Sequence, residues 1–161
     1  MAVGPGRSLR TGQIAMAREF TYPATLTPDE ADGGFVVTFE DLPEAITQGD
    51  TIVEALAEAA DALEEAVAGR IRRGVPIPEP SPAAGRPIVP VPAQTAAKAA
   101  LYLALRETGI SKADLAARLG CDEKEVRRLL DPRHPSKLPR IQKALAALGK
   151  GLSVRLVDEA A

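Results

Sequence analysis

Tryptophan is absent from this chain of 161 residues, and all aromatic residues together make up 3% of it. So few rings argue against base stacking on aromatic platforms, the habit of many RNA binders. The one cysteine, Cys121, cannot form a disulfide within the chain, and its solitude points to a reducing cytoplasm. With one histidine, His134, far from the acidic clusters, there is no Ser/His/Asp set and no metal-ligand cluster. No P-loop appears either, so neither an enzyme nor a cofactor is expected. No apolar run approaches the ~20 residues of a membrane helix, so no membrane partner is expected. Met1–Ala15 holds two arginines but no apolar stretch, which excludes a signal peptide. It is glycine-rich and patternless, and residues 1–17 read as a disordered extension, with Met16 as an alternative start.

What is present is a charge asymmetry hidden in a net charge of −2. Met16–Pro80 holds 14 acids and 4 bases, a net −10. Gln94–Ala161 holds 13 bases and 8 acids, a net +5. An acidic half joined to a basic half suggests two partners of opposite charge. The boundary reads as residues 18–92 and 93–161.

In the acidic half, Phe20, Tyr22, Ala24 and Leu26 alternate with polar residues, the period of a half-buried strand. Pro23 within it argues for an edge position. Phe35–Glu40 is a second strand, joined to the first through the turn-forming Thr27–Gly34, and Ala45–Gln48 is a short third. Thr51 and Glu54 then make a helix start signal. The long helix that follows has Ile52, Leu56, Ala59, Leu63, Val67 and Ile71 along one face, and Gly74 stops it. A proline-rich stretch, Val75–Pro87, leads to a fourth strand at Ile88–Val91. The pattern is β-β-β-α-β. Asp29, Asp32, Glu40, Asp41 and Glu44 gather near the hairpin; they could hold Mg²⁺, but their places in turns suit a solvated acidic edge better.

The basic half predicts a helix over Thr95–Glu107, then two short helices within Ser111–Leu130 joined by a tight turn. Ser111 with Asp114, and Asp122 with Glu125, each supply a helix start. Gly120 suits the turn. Leu115, Ala116 and Leu119 face inward from the first of these helices, Val126 and Leu129 from the second. That is the helix-turn-helix grammar, whose second helix enters a DNA major groove. Glu123, Lys124, Arg127 and Arg128 are then left facing outward. They are followed by the cationic loop Asp131–Lys137. The candidate DNA-contacting residues are accordingly Lys112, Glu123, Lys124, Arg127, Arg128, Arg133, His134 and Lys137, His134 as a phosphate-side or capping residue. A fourth helix spans Leu138–Leu148, with Leu138, Ile141, Leu145 and Leu148 on one face. Leu152–Val157 alternates as a strand. Having no neighbour in sequence, it is expected to pair with its copy in a homodimer or a tetramer.

Several blocks resemble one family. Arg18–Ala24, then Gly34–Pro43, then Ala45–Thr51 before an Ala/Glu-rich helix are similar to the HicB antitoxins. Ala96–Arg106 and Asp131–His134 resemble the helix-turn-helix branch of that family. The resemblance covers about Arg18 to Leu156. It implies an α+β chain: a partial RNase H-like domain without nuclease activity, then an all-α Cro/repressor-like domain. It also implies two partners, a HicA-type mRNA-cleaving toxin and the double-stranded operator DNA of the protein's own operon. The residues that would touch the toxin cannot be named from sequence. The alternative is a ligand-responsive helix-turn-helix transcription factor with no toxin partner, which would need a concave apolar pocket.

Overall fold

The computed structural model describes residues 17–158. The expected 1–17 extension and the Met16 start therefore lie outside the described residues, Ala17 excepted. The described chain is mixed α+β, a small set of strands with one long helix and then four shorter helices.

The segment expected as one strand is two. β1 (Thr21–Pro23) pairs antiparallel with β5 (Ile88–Pro90), whereas β2 (Thr25–Pro28) pairs with β3 (Phe35–Thr38). The break falls at Ala24, whose N–H donates to Pro87 O at 2.8 Å. Pro23 has no N–H to give to a ladder, so the chain changes partners where its own hydrogen bonding lapses. β3 is in turn flanked by β4 (Ile46–Gly49), giving the order β2-β3-β4. The β2–β3 hairpin turns on Asp29, whose Oδ1 accepts from the N–H groups of Ala31 and Asp32 at 3.0 and 3.3 Å.

α1 (Ile52–Arg73) starts at Thr51, whose Oγ1 accepts from Glu54 N at 3.1 Å. It ends at Gly74, which adopts φ 67° and donates back to the helix carbonyls. Ala55, Leu56, Ala59, Leu63, Val67 and Ile71 are buried against the sheet together with Tyr22, Val37, Phe39 and Leu42. Ile52, expected on that face, is 43% exposed. The cause is backbone contact at the helix start: a Cβ on Gly49 would lie 2.4 Å from Ala55 N. The first turn therefore sits directly on β4 through Ala55, which rolls Ile52 outward.

The second half of the chain is helical. α2 (Ala93–Thr108), α3 (Lys112–Leu119), α4 (Glu123–Leu130) and α5 (Leu138–Ala147) pack around Ala97, Leu101, Leu115, Val126, Leu129, Ile141 and Leu145. Leu138, expected inside, is 41% exposed at the first position of α5. The C-terminal strand is not formed within the chain: Gly151–Asp158 has no ladder partner, and Val154 and Leu156 are 82% and 95% exposed. α2 also packs on α1, so the two halves share a contact. There Thr95 Oγ1 donates to Glu64 Oε1 at 2.7 Å, and Tyr102 OH donates to Val75 O at 2.8 Å.

Candidate nucleic-acid interface

α3 and α4 are short, and each is capped at its start by a side chain. Ser111 Oγ accepts from Asp114 N at 3.0 Å, and Asp122 Oδ1 accepts from Glu125 N at 2.8 Å. Each such cap contributes about 1 kcal/mol, a large share for an eight-residue helix. Gly120, with φ 65°, makes the turn between them. Its N–H and that of Cys121 close the turn on Ala117 O and Ala116 O. Val126 and Leu129 are buried, as their spacing predicted, and Glu123, Lys124, Arg127 and Arg128 lie along the outward side.

The candidate residues do not form one cluster. Arg128, His134 and Lys137 line a single open groove at the C-terminal end of α4, with Arg140 and Glu125. Lys124 and Arg127 sit earlier on α4, Arg127 within 2.7 Å of Glu123. Arg133 is exposed in the loop, its N–H held by Asp131 Oδ1 at 2.9 Å. His134 N–H donates to Asp131 O at 3.1 Å, so its imidazole is carried outward by a tight turn. Lys112 stands apart, exposed at the first position of α3. Arg140 pairs with Glu125. Among the described residues Lys112, Lys124, Arg128, Arg133 and Lys137 carry no ion pair, so their charge is free to meet an anion. The arrangement suits a polyanion approaching α4 and the 131–137 loop together.

Lys98 was not legible as part of this site. Its side chain is fully buried, and its Nζ donates to Arg128 O, Leu129 O and Ser136 Oγ at 2.9, 3.1 and 2.8 Å. Three acceptors favour the ammonium form, but burial opposes it and holds the pKa down to about 8, with Asp131 pulling the other way. One signal could have found it: Lys98 is in helical register with Leu101 and Tyr102 on the apolar face of α2.

The acidic half presents a different surface. Glu54, Glu58, Asp61 and Glu65 recur every three or four residues, all exposed, on one side of α1, with exposed Asp50 just before the helix. Glu65 has Arg72 at 3.8 Å; among the described residues the other four have no ion pair. Like charges at this spacing repel, so the stripe costs α1 stability. Of the acids near the hairpin, Asp29, Glu40, Asp41 and Glu44 are occupied instead. Glu40 pairs with Arg86 at 3.2 Å, and Asp41 Oδ2 accepts from Ser81 N and Oγ, each at 3.0 Å. Glu44 pairs with Arg70, whose guanidinium holds the Glu44 carboxyl below its ordinary pKa. No group of three or more His, Cys, Asp or Glu among the described residues is placed to hold a metal ion.

A family model described as a HicB-like antitoxin of bacterial toxin–antitoxin systems matches residues 21–100. The chain is 40% identical over 137 residues to Antitoxin HicB of Escherichia coli K12, covering 84% of this chain and 99% of that protein. It is 41% identical over 139 residues to Antitoxin HicB 2 of Photorhabdus laumondii, covering 86% and 98%. Antitoxin HicB of Pseudomonas fluorescens Pf0-1 is 38% identical over 123 residues, covering 75% and 84%.

Proposed function

Starting from the fact that this chain belongs to the HicB antitoxin family, we propose that it neutralises a HicA-type mRNA-cleaving toxin and represses its own operon by binding operator DNA. In this reading the chain is a binding protein and not an enzyme. The observation that carries it is the division of charge over two structural units. A toxin that grips RNA presents cations, and the unpaired acidic stripe of α1 offers them a complementary face. The operator is a polyanion, and α4 with the 131–137 loop offers unpaired cations.

The α2–α5 unit then works as a Cro/repressor-like domain, with α4 in the major groove. The strand and α1 unit works as a partial RNase H-like domain without catalysis. The exposed Leu152–Val157 segment pairs with its copy in a second chain, forming the dimer that a palindromic operator requires. The cytoplasm is the site of action. Among the described residues no helix is long and apolar enough to cross a membrane.

The experiment is a pair of measurements on the full chain. A duplex of the DNA upstream of its reading frame is titrated in a gel shift at fixed salt, and growth is followed on co-expression with a HicA-type toxin gene. Arg127→Ala and Arg128→Ala should each weaken operator binding about ten-fold, as loss of a base or phosphate contact does, and should leave growth rescue intact. Unchanged operator affinity in both variants removes α4 from the DNA interface. Failure of the wild type to rescue growth removes the antitoxin reading.

A further inference from the structure

Three helices of this chain end alike. α1, α2 and α3 each stop at a left-handed glycine, Gly74, Gly109 and Gly120. α4 does not. Its C-cap is Asp131, with extended backbone at φ −78° and ψ 114°, and its end lies against the protein interior. The last carbonyls of a helix lack partners within it, and leaving them buried and unpaired is costly. Arg128 O has one local partner, the Asp131 N–H at 3.2 Å, and a further donor arrives from another helix. Lys98 threads its aliphatic stem through the core from α2 and places Nζ on Arg128 O and Leu129 O. A cation at this end also meets the negative pole of the α4 dipole.

The third bond of Nζ goes to Ser136 Oγ, beyond the loop. One helical turn earlier on α2, Gln94 grips the same residue twice. Its Nε2 donates to Ser136 O at 2.9 Å, and its Oε1 accepts from Ser136 N at 3.2 Å. One face of α2 thus holds both ends of the segment 131–135, the segment that carries Arg133 and His134. The same face of α2 is also tied to the first half of the chain: Thr95 bonds Glu64 within α1, Tyr102 bonds Val75 O, and Arg106 Nη1 donates to Gly74 O at 2.8 Å. α2 is therefore a stiff mount rather than a floating neighbour.

We propose that Lys98 and Gln94 are positioning residues for DNA binding, together fixing the direction in which Arg128 and the cationic 131–137 loop are presented. The proposal rests on the DNA-binding reading above. Neither side chain needs to touch DNA. Removing them leaves every candidate contact in place but frees its bearing, so sequence-specific binding suffers while the general attraction of cations for phosphate remains.

The test uses the full chain, the upstream duplex and a scrambled duplex of the same length. The variants are Lys98→Met, which keeps the stem and removes the three bonds, and the double variant Gln94→Ala/Ser136→Ala, which releases the loop anchor and the Ser136 bond to Lys98 but keeps the lysine and its two bonds to α4. Binding to the upstream duplex should fall about ten-fold, on the scale of one lost base contact, while binding to the scrambled duplex stays within two-fold. Backbone amides of residues 130–137 should exchange with solvent faster in both variants, and helix content by circular dichroism should match the wild type. If Lys98→Met does not fold, the double variant decides. Equal loss on both duplexes assigns Lys98 and Gln94 to general stability and overturns the proposal; unchanged binding to both overturns it as well. A wild type that does not prefer the upstream duplex overturns the DNA reading, and the proposal with it.

Discussion

At the scale of single residues, two positions govern much of the geometry. Gly49 lets the first turn of α1 rest on β4, and any Cβ there would collide with backbone, which cannot swing aside as a side chain would. Gly49→Ala should destabilise the protein by about 1–3 kcal/mol, the usual cost of overpacking, as a lower urea midpoint with unchanged m-value. A midpoint equal to the wild type's would mean α1 does not sit as described. Lys98 has a pH signature. Its native pKa of about 8 lies below its ordinary 10.5, so between those values the unfolded chain holds more protons than the folded one. For this group, stability therefore rises with pH across that window, and below about pH 8 the cost of burying the charge is fully felt. The difference in unfolding free energy between wild type and Lys98→Met should shift toward the wild type from about pH 8 to 10.5. A difference that stays flat over that range would mean Lys98 titrates like an exposed lysine. Both residues show where sequence reading stops. The caps at Thr51, Ser111 and Asp122 were legible because their bonds span three residues. Gly49 and Lys98 act on partners met only after folding.

At the scale of elements, the helices were read nearly as they stand, because their apolar spacing and their stops are local. The strands were less legible. The break at Ala24 depends on β5, which lies far along the chain, so between Phe20 and Leu26 only Pro23 hints at it, and nothing there names the second partner. The α1 stripe was legible as acid content but not as a surface, since that required knowing which side β4 covers. It gives a prediction at this scale. The triple variant Glu54→Lys/Glu58→Lys/Asp61→Lys reverses the sign of the stripe, so that it repels a cationic partner. It should lower toxin capture in a pull-down by ten-fold or more, an effect of several like-charge contacts, and leave operator binding unchanged. Undiminished capture would place the toxin on another face.

At the scale of the whole molecule, the C-terminal segment carries the open question of assembly. Leu152 packs in part on the core and Arg155 reaches Glu19 at 2.9 Å, whereas Val154 and Leu156 stand in solvent. The alternation that suggested a strand is real, but within one chain the segment pairs with neither sheet. Truncation after Gly149 should yield a monomer by light scattering and a large loss of operator affinity, because two half-sites would no longer be held about one helical turn of DNA apart. A truncated chain that stays dimeric would move the interface onto the helices. The pairing of β1 with β5 has a consequence in time. The strand made first in this unit finds its partner last, after α1 and the proline-rich segment have been synthesised. Contacts so distant in sequence form slowly. A nascent chain therefore keeps Thr21–Pro23 unpaired until Ile88–Pro90 leaves the ribosome, so the acidic unit closes only once synthesis has passed well into the basic unit.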